Sequence, residues 1–71
     1  MELKLYQCSQ PTIHVVKDGD VIFRMWGSSF PEAVNLLLAA LAKDDKPDAR
    51  EAHALLTSLE QGRIEAPLRF L

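Results

Sequence analysis

The chain has one cysteine, three glycines and no long run of apolar residues. The lone Cys8 rules out an intramolecular disulfide and sets the protein apart from the disulfide-stapled domains common among small secreted proteins. A reducing, cytoplasmic setting is therefore expected. No stretch approaches the roughly 20 apolar residues that a bilayer-spanning helix needs. The first residues, Met1-Glu2-Leu3-Lys4-Leu5, alternate where a signal peptide would place a basic segment and then an apolar block. Charge of one sign is lacking too. Eight Lys and Arg stand against ten Asp and Glu, for a net charge of -2. That balance gives no electrostatic case for gripping nucleic acid, so a nucleic-acid partner is not expected. It is also too weakly acidic for a mimic of DNA.

What is present describes a single small globular domain over residues 1–71. The hydrophobic share of 48% with 25% charged residues argues against disorder. A chain of this length buries only about 60% of its unfolded surface, which leaves a monomer with a small stability margin.

Residues Glu2–Cys8 alternate as a strand, with Leu3 and Leu5 on one face and Lys4 and Tyr6 on the other. Ser9-Gln10-Pro11 breaks the run. Thr12–Val16 and Asp20–Trp26 form a hairpin whose turn allows two registers. A two-residue Asp18-Gly19 turn of type I′ pairs Val16 with Val21 and sets Ile13 opposite Arg24, mixing polar and apolar residues on both faces. A three-residue loop, Lys17-Asp18-Gly19, with Gly19 left-handed, pairs Val16 with Asp20. It then gathers Ile13, Val15, Val21, Phe23 and Met25 on one face and Thr12, His14, Val16, Ile22 and Arg24 on the other. Burial favours the cleaner segregation, so the bulged turn is expected.

Ser29-Phe30-Pro31-Glu32 opens a helix that should run to about Lys43, with Ser29 as cap and Glu32 at the reciprocal capping-box position. Phe30, Ala33, Val34, Leu37, Leu38 and Leu41 form its inner stripe. Leu36, Ala40 and Ala42 widen that arc enough to require a second packing partner. A second helix beginning near Pro47 presents Ala49, Ala52, Leu55, Leu56 and Leu59 inward and Arg50, His53, Thr57 and Glu60 outward. Gly62 is its expected left-handed stop. The tail, Arg63–Leu71, alternates again, and Pro67 makes it an edge strand or extended arm. The expected fold is α+β, order βββααβ: a three-stranded antiparallel meander, two helices on one face and a C-terminal edge strand or arm.

Residues able to do chemistry are sparse. His14, His53, Cys8 and Glu51 lack the paired spacing of zinc motifs, so no metal or cofactor is expected. Cys8 and His14 lie on neighbouring strands, but an activated thiol needs an electropositive setting and an oxyanion site. Gly27-Ser28-Ser29 precedes a helix N-terminus that could attract an anion. Asp44, Asp45 and Asp48 cluster where a helix dipole and a solvated turn account for them. No catalytic residue is assigned and no enzyme is expected.

The face opposite the helices remains. Tyr6, His14, Val16, Ile22, Arg24 and Trp26 are its candidate interaction residues, because Trp, Tyr and Arg dominate binding hot spots. Alternatively, Trp26 folds over the rim of the core. The leading expectation is a non-enzymatic module, a homodimer or a small adaptor or inhibitor that docks on a protein. The alternatives are a nucleic-acid-associated regulator using Lys4, Lys17 and Arg24 with Tyr6 and Trp26 and, less favoured, a small thiol-dependent enzyme acting through Cys8 and His14. A hairpin followed by Gly-Ser-Ser-Phe-Pro-Glu-Ala and an apolar helix resembles the opening of small HicB-like antitoxin domains. The resemblance covers about half of the chain, lacks a DNA-binding segment and transfers no site residue. Compact phage proteins that inhibit host machinery are similar in size and build.

Overall fold

The computed structural model describes residues 1–7, 9–60 and 68–70, the last three by backbone alone. Strand β1 (Glu2–Gln7) pairs antiparallel with β2 (Pro11–Lys17), which pairs antiparallel with β3 (Asp20–Trp26). Helix α1 (Phe30–Leu41) and helix α2 (Pro47–Glu60) follow. Strand β4 (Leu68–Phe70) lies parallel to the other edge of β1, opposing Lys4 with Arg69, so the sheet order is β3-β2-β1-β4. This is the expected α+β arrangement, with the tail as an edge strand. Expectations for Cys8, Gly62, Pro67 and the tail side chains fall outside the described residues.

The hairpin register departs from expectation. Asp18 (φ 53°) and Gly19 (φ 84°) both adopt left-handed backbone, and Lys17 pairs with Asp20 and Val16 with Val21. This is the two-residue turn of type I′, not the three-residue bulged loop. The irregularity lies one step further on. Val15 opposes Phe23, so Ile22 is left over on β3 as a bulge, and from there the pairing runs through His14–Arg24 and Ile13–Met25 to Thr12–Trp26.

The bulge restores the segregation that an uninterrupted type I′ register would have destroyed. Ile13 and Val15 are fully buried, and Phe23 and Met25 pack against them. Two residues exchange places relative to expectation. Val21, expected in the core, is 52% exposed, whereas Ile22, expected on the outer face, is partly buried against the core. Val16 is buried but stands apart from the core cluster, on the outer side of the sheet.

Both helices cover the opposite side. Leu3, Leu5, Ile13 and Val15 meet Ala33, Val34, Leu37 and Leu41 of α1 and Ala49, Ala52 and Leu56 of α2. Phe30, Leu38, Leu55 and Leu59 close the margins. Helix α2 is the second partner that α1 requires, yet it leaves Leu36 46% exposed and Ala40 and Ala42 in solvent. Helix α1 ends at Leu41, earlier than expected, because Lys43 N–H and Asp44 N–H turn back to the carbonyls of Ala40 and Leu41 in three-residue steps. His53 and Thr57 are half-buried where full exposure was expected, and the Thr57 hydroxyl donates to the His53 carbonyl at 2.8 Å.

The turn and the start of α1 use glycine for different reasons. Nothing lies within 4 Å of a side chain added at Gly19, so Gly19→Ala meets only the left-handed backbone cost. That substitution should lower stability by about 1 kcal/mol, read from the urea midpoint, and Asp18→Asn should be neutral because asparagine tolerates this conformation. Gly27 is buried, donates its N–H to the Pro11 carbonyl at 3.1 Å, and would bring a Cβ to 3.0 Å from the Ala33 nitrogen. Gly27→Ala should therefore destabilise through displacement of the helix start. Equal tolerance of alanine at both positions would contradict this division.

Candidate functional site

The strand pairing sorts the outer face into three transverse rows. Tyr6, Thr12 and Trp26 oppose one another across β1, β2 and β3. The next row is Lys4, His14 and Arg24, and the third is Glu2, Val16 and Val21. Adjacent members of a row lie about 4.8 Å apart along the hydrogen-bonding direction. An aromatic row thus runs beside a row of basic side chains, on a face that neither helix covers. Of the six residues expected there, Tyr6, His14, Arg24 and Trp26 come together. Val16 lies in the third row, and Ile22 is withdrawn by the bulge.

Contacts within the face follow from this layout. The Tyr6 and His14 rings, diagonal neighbours on adjacent strands, have centroids 4.5 Å apart and planes inclined at 48°. The Arg24 guanidinium carbon lies 6.0 Å from the Trp26 ring centre, the outer limit of a cation–π contact. Trp26 is 50% exposed, so it does not fold over the rim of the core. These side chains and Thr12, together with the Ser9-Gln10 turn, border a shallow cavity of about 290 Å³.

His14 is the strained member. Its Nδ1 is buried and has no hydrogen-bond partner among the described residues. Burial lowers its pKa below the ordinary value of 6.5, and the positive charges of Arg24 and Lys4 lower it further. The imidazole is therefore neutral at pH 7.

Charge on this face is uneven. Lys4 Nζ lies 3.9 Å from Glu2 Oε1, whereas Arg24 makes no ion pair among the described residues. Lys17, expected to join Lys4 and Arg24, is absent from the face. It lies on the helix side, where its Nζ contacts Asp48 Oδ1 at 2.6 Å and its pKa is raised by that hydrogen bond.

The other candidate groups are held by local bonds. The Ser29 hydroxyl accepts the Glu32 N–H at 3.2 Å, as a cap should. The Glu32 carboxylate reaches Ser28 rather than Ser29, accepting its hydroxyl at 2.6 Å and its N–H at 3.3 Å. Those bonds hold the Glu32 carboxyl below its usual pKa. An acidic side chain thus already occupies the helix N-terminus that was considered for an anion. Asp44 accepts the Lys46 N–H at 2.9 Å, and Asp48 holds Lys17. No cluster of three metal-ligating side chains occurs among the described residues, and Cys8 lies outside them.

No protein-family model, curated protein or solved structure gives a significant match to this chain. The geometry of the face itself is a half-exposed Trp26, a partly exposed Tyr6, a neutral His14 imidazole and an Arg24 guanidinium with no ion pair among the described residues.

The orphaned Nδ1 gives a direct test. His14→Phe keeps a ring against Tyr6 and removes the buried polar nitrogen, so it should stabilise the fold by about 1 kcal/mol at pH 7. It should also flatten the pH dependence. In the native protein the unfolded chain takes up the His14 proton first as pH falls, so stability decreases below about pH 6.5 towards the lowered folded-state pKa. Urea midpoints at pH 7 and pH 5.5 read both effects. A His14→Phe protein less stable than the native one at pH 7 would show that the nitrogen is satisfied.

Proposed function

We propose that this chain is a non-enzymatic interaction module, a small adaptor or inhibitor that binds a protein partner through its open sheet face. The observation that carries this reading is the half-exposed Trp26 with Arg24 over its ring, beside Tyr6, on the face opposite both helices. Trp, Tyr and Arg contribute most where interfaces are strongest, because each combines a large apolar area with a directional polar group. The absence of a helix long and apolar enough to cross a membrane among the described residues is compatible with this reading. The lone cysteine supports a cytoplasmic setting.

A second copy of the chain is one partner this reading includes. Strand β3 is a sheet edge, and Val21 and Trp26 on it are both half-exposed. The nucleic-acid reading has less support. Lys17 is committed to Asp48 and Lys4 has Glu2 beside it, leaving Arg24 as the unpaired cation among the described residues of this face.

Site-specific photocrosslinking tests the proposal in cells. Benzoylphenylalanine at Val21, on the open face, should give a discrete protein adduct that disappears when Trp26→Ala is added. The same probe at Leu36, on the far side of α1, should give none. An adduct of twice the chain mass identifies self-association, which sedimentation of the purified protein would confirm. Adducts from Leu36 and none from Val21 would move the interface to the helices.

A further inference from the structure

We propose that the open face recognises an acidic protein segment, one carboxylate of which pairs with Arg24 beside the Trp26 ring. This rests on the reading that the face takes a protein partner, and it adds the chemistry of that partner.

Charge complementarity selects the occupant. The whole chain is net negative at -2. Yet across β1, β2 and β3 the outer rows carry Lys4 and Arg24 against Glu2 alone, and β4 sets Arg69 in the row of Lys4. Glu2 lies beside Lys4, at the strand separated from Arg24 by the whole width of β2, about 10 Å across the sheet. His14, between the two cations, carries no charge at neutral pH because burial and both neighbours oppose its protonation. The local excess is thus positive, and Arg24 is a cation of this face with no ion pair among the described residues.

A guanidinium presents a planar fork of donors that a carboxylate meets with two parallel hydrogen bonds. The Trp26 ring next to it shields one side from water and supplies apolar area for the stem of the incoming side chain. The cavity of about 290 Å³ beside these residues is shallow and has room for an incoming side chain.

The charge count also decides against a nucleic-acid strand. Sequence-independent grip on a phosphate backbone grows with each phosphate neutralised. A few cations with Glu2 among them supply little of that, whereas a single acidic side chain needs only one guanidinium.

Trp26 is the sole tryptophan of the chain, so its fluorescence reports on the site directly. The intact protein is titrated at low salt with a short oligo-glutamate peptide, an oligo-lysine peptide of equal length and an oligothymidylate. The glutamate peptide should shift or quench Trp26 emission, and raising the salt concentration should weaken the response. Arg24→Gln should weaken binding about tenfold, the scale of one charge-assisted hydrogen bond. Lys46→Gln, an exposed change in the connection before α2, should leave it unaltered. No response to the glutamate peptide, or equal affinity in the Arg24→Gln protein, overturns the proposal. Tighter binding of oligothymidylate than of oligo-glutamate also overturns it and gives the face to a single strand. A silent glutamate titration alongside a persistent Val21 crosslink removes the acidic specificity and leaves the protein-binding face intact; loss of both removes the face itself.

Discussion

The arrangement of the domain depends on one unpaired residue, Ile22. The type I′ turn fixes Val16 opposite Val21, and strict alternation from that point would turn Arg24 and Trp26 towards the helices and Phe23 and Met25 towards water. The bulge reverses this. Its cost is a ladder hydrogen bond, about 1 kcal/mol net. Burying a guanidinium without a partner costs several kcal/mol, and exposing two large apolar side chains forfeits roughly 1.5–3 kcal/mol each. The burial terms exceed the hydrogen-bond term, so the ladder gives way. A bulge on β3 has a further consequence, since an edge strand that kinks is a poorer template for uncontrolled strand pairing.

This competition explains what could be read in the amino-acid sequence and what could not. Both helices are legible from apolar spacing, and the cap at Ser29 from its hydroxyl three residues before Glu32. The segregation of Ile13, Val15, Phe23 and Met25 is also legible, because burial demands it in any register. The means of achieving it is not. The favoured register puts its bulge in the turn at Gly19 and alternates without interruption beyond it, so it has no place for an extra residue within β3. A signal was present in the unbroken apolar run Val21-Ile22-Phe23, where alternation fails for three residues before resuming with Arg24 and Met25. Such a run next to an Asp-Gly turn is what a strand with a bulge just beyond its turn looks like. Arg24 and Trp26 stand out as candidate residues by type alone. The rows that set them beside Tyr6 and His14 required the register itself.

The two sides of the domain handle charge differently. On the helix side, ionic groups find short-range partners: Lys17 with Asp48, Ser28 with Glu32, Asp44 with the Lys46 amide. These contacts anchor the hairpin tip to α2 and shape both helix starts. Because they are exposed, they fix geometry more than they add stability. On the sheet side, Arg24 lacks such a partner among the described residues, and His14 loses its charge instead of gaining a neighbour for it.

The distribution of apolar area makes the same distinction. Among the described residues, every fully buried side chain of the core is aliphatic, with Leu3, Ile13, Val15 and Leu56 the largest, while the sole tryptophan stands half in water. A large aromatic buries on the order of 150–250 Å². Leaving half of it exposed withholds roughly 2–3 kcal/mol of transfer free energy at ~25 cal/mol per Å². A small domain is typically stable by only about 5–15 kcal/mol, and for a chain of this size the lower end is the relevant one. Burial alone would favour covering the Trp26 ring, which instead stands out on the sheet beside Arg24, a guanidinium with no ion pair among the described residues. A partner of the proposed kind would recover the withheld term by covering the ring, so the exposure that weakens the isolated domain would strengthen such a complex.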